Sequence, residues 1–219
     1  MSANNTGTCE GSGFSNSTRG IVKSGYQSPA VGGTMDYITI ASAGNTQDFG
    51  DLSKHGDSPG AAGNSTRALI GGALTQTPSA VPLADISFVT IPTLGDNVDF
   101  GGDLTVARWS CFAVASTTRT VWAGGSTPSR QSVIDYGFIS SLGNAINFGD
   151  LTTNSASCPA SSNCIRGVFA GGYRDPNNHA SSDIDYIQIA TEGNSVDFGD
   201  LSVQNDAGGA GVSNGHGGL

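Results

Sequence analysis

The stretch Ile184-Asp185-Tyr186-Ile187-Gln188-Ile189, the turn Gly193-Asn194, and the marker Asp197-Phe198-Gly199-Asp200-Leu201 decide the fold. In the first segment Tyr186 and Gln188 share one face, while Ile187 and Ile189 share the other. That period of two is the signature of a strand. A Gly-Asn pair then a second short apolar run reads as an antiparallel hairpin. The same marker recurs as Asp48 to Leu52, as Asp99 to Leu104 with one extra glycine, and as Asn147 to Leu151. Its phenylalanines, Phe49, Phe100, Phe148 and Phe198, are spaced 51, 48 and 50 residues apart. The hairpin turn recurs as Gly44-Asn45, Gly95-Asp96 and Gly143-Asn144.

Working outward, each unit carries an arginine upstream of the aromatic strand: Arg19, Arg67, Arg119 and Arg166. An apolar run follows each, and in three units it ends in a double glycine: Gly71-Gly72, Gly124-Gly125 and Gly171-Gly172. A small-residue strand such as Phe112 to Ser116 precedes the arginine. Each unit therefore reads as four short antiparallel strands, about 16 in all. A four-stranded unit of this size cannot bury both faces alone, so the units must stack.

Composition agrees. The chain has 219 residues with 33 Gly and 12% charged residues, against averages of about 7% Gly and about 25% charged. Only two Glu and two Lys occur, so long helices lack their favoured residues. The net charge of −9 repels a phosphate backbone and argues against nucleic-acid binding. No apolar run is long enough to span a membrane as a helix, and residues 1–13 lack the pattern of a Sec signal peptide.

On the segments Ile165 to Gly172 and Ile184 to Leu201, the chain resembles the kelch repeat and the kelch-like repeat proteins of marine bacteriophages. The resemblance implies an all-β, β-propeller-like fold of four kelch-like four-stranded antiparallel blades: 1–53, 54–105, 106–151 and 152–202. Residues 203–219 then form an extra strand of an incomplete fifth repeat. It also implies a non-enzymatic structural or adhesive component of a particle, a virion or an extracellular assembly. Partners would be other subunits, including further copies of the chain, or virion proteins. A soluble carbohydrate- or protein-binding module, with a surface glycan as ligand, is the alternative.

Candidate residues are structural. The four phenylalanines are expected to be buried between blades. The four arginines are expected to pair with the repeated Asp51, Asp103, Asp150 and Asp200 and lock strand ends. Asp-Phe-Gly is not a kinase motif here, because it recurs and its companion motifs are absent. Neither Asp96 to Asp103 nor Asp175 to Asp185 has the ligand pattern of an EF-hand. His55, His179 and His216 share no zinc spacing. No cofactor and no metal are expected. Cys158 and Cys164 flank a predicted hairpin turn and are the candidate disulfide. Asn4, Asn16 and Asn64 begin N-x-S/T sequences and read as polar turns.

Overall fold

The structure, a computed structural model, describes residues 11–27, 30–54, 56–76, 78–176, 179–206 and 209–213. The described residues form strands and turns with no helix.

The first repeat supplies β1 (Ser12–Ser15), β2 (Arg19–Lys23), β3 (Tyr26–Gln27), β4 (Ala30–Val31), β5 (Thr34–Thr39) and β6 (Gln47–Asp51). The second supplies β7 (Gly60–Gly63), β8 (Arg67–Thr75), β9 (Val81–Thr90) and β10 (Val98–Asp103). The third supplies β11 (Phe112–Ala115), β12 (Arg119–Ala123), β13 (Gln131–Phe138) and β14 (Ile146–Ala156). The fourth supplies β15 (Ala160–Ser162), β16 (Arg166–Ala170), β17 (Tyr173–Arg174), β18 (His179–Gln188) and β19 (Val196–Asn205). Within each repeat the principal strands pair antiparallel in chain order, as in β1-β2-β5-β6. The small hairpin β3-β4 stands apart.

Four separate propeller blades are not what forms. The sheets have four, four and nine strands, besides the two-stranded β3-β4. The nine-stranded sheet fuses the third and fourth repeats along the path β11-β12-β13-β14-β17-β18-β16-β15, with β19 attached to β18. The cause is strand overrun. β14 continues past Leu151 through Thr152 and Thr153, which favour extended backbone, and its end pairs Ser155 with Arg174 and Ala156 with Tyr173. β17 in turn pairs with the start of β18. The ends of this eight-strand path approach each other, because the Ser162 hydroxyl donates to the Ala115 carbonyl at 3.0 Å. The result is a nearly closed barrel.

The core sits between successive repeats, in three clusters. Ile21, Met35 and Phe49 meet Ala68, Ile70, Val89 and Ile91. Leu69, Ile86 and Phe100 meet Trp122 and Ile139. Val121, Ile134 and Phe148 meet Phe169, Ile187 and Ile189. The strand period explains the division: in β8, Ala68 and Ile70 face the first repeat and Leu69 faces the third.

Val203 to Asn205 belong to β19 rather than to a new strand. Residues 209–213 lie along β15 of the same chain, where the Ser161 hydroxyl donates to the Val212 carbonyl at 2.8 Å. Residues 207–208 and 214–219 lie outside the described residues.

Candidate functional site: the joint between repeats

The joint between one repeat and the next is built from the same backbone groups three times. At the first, the Gly95 N–H donates to the Phe49 carbonyl at 2.8 Å and the Asn97 N–H donates to the Asp51 carbonyl at 3.1 Å. In return the Asp51 N–H donates to the Asp96 carboxylate at 2.9 Å. At the second, Gly143 donates to Phe100, Ala145 to Asp103, and the Asp103 N–H to the Asn144 side chain. At the third, Gly193 donates to Phe148, Ser195 to Asp150, and the Asp150 N–H to the Asn194 side chain. The hairpin turn of each repeat thus docks on the marker of the repeat before it.

Close approach requires a glycine in the marker. A Cβ added at Gly50, Gly102 or Gly149 would lie under 3.0 Å from the backbone of the docked turn. The extra glycine of the second marker is Gly101, at φ 73° with open space around its Cβ direction. It forms the bulge between Asp99 and Asp103 and leaves Gly102 to receive the turn.

The arginines cross the same joints. Arg19 donates to the Ile91 carbonyl at 2.8 Å, Arg67 to Ile139 at 2.9 Å, and Arg119 to Ile189 at 3.2 Å. Their guanidinium groups do not pair with Asp51, Asp103, Asp150 or Asp200, contrary to expectation. Each lies instead over an aromatic ring of its own repeat: Arg19 on Tyr37, Arg67 on Phe88, Arg119 on Tyr136 and Arg166 on Tyr186, at 5.1, 4.2, 4.4 and 4.5 Å. A face-on ring attracts the cation through its quadrupole. The pairing register brings them together: Arg19 opposes Thr39, and Tyr37 lies two residues on, on the same face. Asn16 and Asn64 cap the turns before these strands. Each side-chain oxygen accepts from the backbone N–H groups two and three residues on, an Asx-type turn.

Two buried ion pairs escaped the sequence reading. Arg108 and Asp135 meet at 3.0 Å with both side chains fully buried, and the Thr105 hydroxyl donates to Asp135 at 2.6 Å. Arg174 and Asp185 meet at 2.9 Å, with Thr152 in the same role. An aspartate inside an apolar strand, as in Ile134-Asp135-Tyr136, is the signal that marks such a pair.

Cys158 and Cys164 are free thiols, as is Cys111. Cys158 and Cys164 sit on either side of β15. At about 3.3 Å per extended residue that separation exceeds the roughly 7 Å Cα limit for a disulfide. Cys158 is buried with its thiol on the Gly171 carbonyl at 3.1 Å, and burial pushes its pKa up to about 12. Burial raises Cys111 as well. Iodoacetamide at pH 8 is therefore expected to alkylate the exposed Cys164 in the native protein and to reach Cys111 and Cys158 only on unfolding. Peptide mass mapping reads the difference, and rapid native labelling of Cys158 would contradict the buried placement.

Lys23 is fully buried beside a cavity of about 60 Å³ also lined by Lys54, Gly56 and Asp85. Its ammonium donates to the Gly56 carbonyl. Burial lowers its pKa from 10.5 to about 8, against the opposing pull of the Asp57 carboxylate. Below pH 8 the folded and unfolded chains both hold this proton. Between pH 8 and 10.5 only the unfolded chain does, so stability rises with pH through that window. The rise is on the order of 2–3 kcal/mol. Lys23→Met should flatten it, as urea midpoints at pH 7.5 and 10 would show. An unchanged rise in the variant would assign it to other groups.

Among the described residues, no group of three His, Cys, Asp or Glu side chains is placed to hold a metal ion. His55, His216 and the side chain of His179 lie outside the described residues. No protein-family model and no curated protein sequence matches the chain.

Proposed function

We propose that this protein is a structural component of a larger particle, a virion or an extracellular assembly, and that it works through protein–protein contacts. The observation that carries this reading is the contrast between the repeats. Phe49, Phe100 and Phe148 are 2%, 1% and 3% exposed under the next repeat, whereas Phe198 is 53% exposed. Ile165 and Val203 are also exposed on the fourth repeat. A ring that three repeats bury and the fourth leaves open is the kind of exposed apolar surface that marks an interaction site. The resemblance of the repeats to those of bacteriophage proteins points the same way.

Quantitative mass spectrometry of purified virions or filaments from the producing culture tests the reading. The chain is expected at a fixed stoichiometry to the major particle protein. Recovery only in the particle-free fraction would overturn it. Saturable binding on a glycan array would replace it with the reading as a carbohydrate-binding module.

A further inference from the structure

The fourth repeat presents one half of the joint, and the first repeat presents the other. On the fourth, the Arg166 guanidinium covers Tyr186, but among the described residues no carbonyl meets it across a joint, unlike Arg19, Arg67 and Arg119. Phe198 is exposed. A Cβ at Gly199 would meet nothing within 4 Å, whereas Gly50, Gly102 and Gly149 are each covered by a docked turn. On the first repeat, Ile40 is 50% exposed, while its equivalents Ile91, Ile139 and Ile189 are 0%, 2% and 0% exposed. Val22 is 58% exposed, while Ile70, Trp122 and Phe169 at the same repeat position are 5%, 0% and 0%. Ile38 is exposed too, where Val89 and Ile187 are buried. The Gly44-Asn45 turn is exposed and carries the same residue pair that docks as Gly143-Asn144 and Gly193-Asn194.

We propose that these two half-joints meet between molecules: the first repeat of a second copy docks on the fourth repeat, head to tail. This rests on the reading of the protein as an assembly component and names its partner. The Gly44-Asn45 turn of one copy would take the place on Phe198, Gly199 and Asp200 that Gly193-Asn194 takes on Phe148, Gly149 and Asp150. Arg166 would donate to the Ile40 carbonyl. A second copy is the occupant the structure favours, because one molecule carries both complementary halves of a contact that it already makes three times. Such a contact is heterologous, so it closes into a ring or runs on as a filament.

Residues 209–213 bear on the same joint. They lie against β15, as β11 lies against β7 and β15 against β11. Gly211-Val212-Ser213-Asn214 also matches Gly13-Phe14-Ser15-Asn16 in sequence. The tail therefore fills the slot that β1 of a docking copy needs, and it must yield for the joint to form.

Light scattering on the full chain and on Ile40→Glu and Phe198→Glu tests the proposal. Both residues are exposed in the single chain, so each variant should keep its melting temperature when dilute. The full chain should form concentration-dependent oligomers, and each variant alone should run as a 22.0 kDa monomer. An equal mixture of the two variants should recover a dimer and nothing larger, because one intact half remains on each. Truncation after Asn205 should tighten association relative to the full chain. Monomers at every concentration, oligomers untouched by either variant, or a mixture that stays monomeric would each overturn the head-to-tail joint. So would weaker association on truncation. The particle stoichiometry described above is read independently, so the assembly reading can stand when this joint fails.

Discussion

Asp135→Ala is expected to lower stability by about 3–5 kcal/mol, the cost of leaving one partner of a buried ion pair unopposed. Arg108 and Asp135 are both fully buried at 3.0 Å. The guanidinium has little other support: one Nη2 contact reaches the Trp122 carbonyl at 3.4 Å, while Nε and Nη1 find no acceptor among the described residues. Removing the carboxylate therefore leaves a cation in the cluster around Trp122, and it leaves the Thr105 hydroxyl without its acceptor. The pair as a whole contributes much less than this figure, because desolvation of both ions offsets their attraction. Replacing both, as Arg108→Met with Asp135→Leu, should come within about 1–2 kcal/mol of the natural chain. Urea unfolding of the single and double variants measures both quantities. A single-variant loss below 1 kcal/mol would show that water reaches this site.

The parts of the fold that depend on local pattern were legible. Alternation in Tyr186-Ile187-Gln188-Ile189 and the Gly193-Asn194 turn follow from strand geometry and turn chemistry alone, and the structure has β18 and β19 paired around that turn. The fused sheet was not legible. It depends on whether Thr152 to Ala156 continue β14 and find β17, a pairing between segments that no repeat unit marks. The ion pairs were hidden for a related reason. Arg108 falls in the connection after the second marker and Arg174 just after a double glycine, so neither stands at a repeated position. The repeated arginines were legible as structural but not in their partner. Charge complementarity suggested the marker aspartates, whereas strand register puts the aromatic ring on the arginine's own face. The expected burial of four equivalent phenylalanines treated the repeats as identical. Burial is set by what lies beyond each repeat, and Phe198 is covered by nothing comparable.

That difference gives the phenylalanine series its value. Phe49→Ala, Phe100→Ala and Phe148→Ala are each expected to cost about 3–5 kcal/mol, the range for deleting a buried ring and leaving its cavity. Phe198→Ala in the dilute chain should cost less than about 1 kcal/mol, as exposed substitutions usually do. The four rings share their immediate setting. Each meets the aromatic ring of the neighbouring strand edge-on, at 6.2 Å to Tyr37, 6.2 Å to Phe88, 5.9 Å to Tyr136 and 5.9 Å to Tyr186. The ring-to-ring contribution, roughly 0.5–1.5 kcal/mol, is therefore nearly common to all four. What separates Phe198 is the missing cover, so the gap between its cost and the others measures the joint rather than the marker. If the head-to-tail contact forms, the gap narrows as concentration rises, because association stabilises the folded chain by mass action and Phe198→Ala forfeits that gain. Thermal unfolding at two concentrations reads this directly. A loss of 3 kcal/mol or more at Phe198 in dilute solution would show that the fourth repeat buries its marker within the single chain.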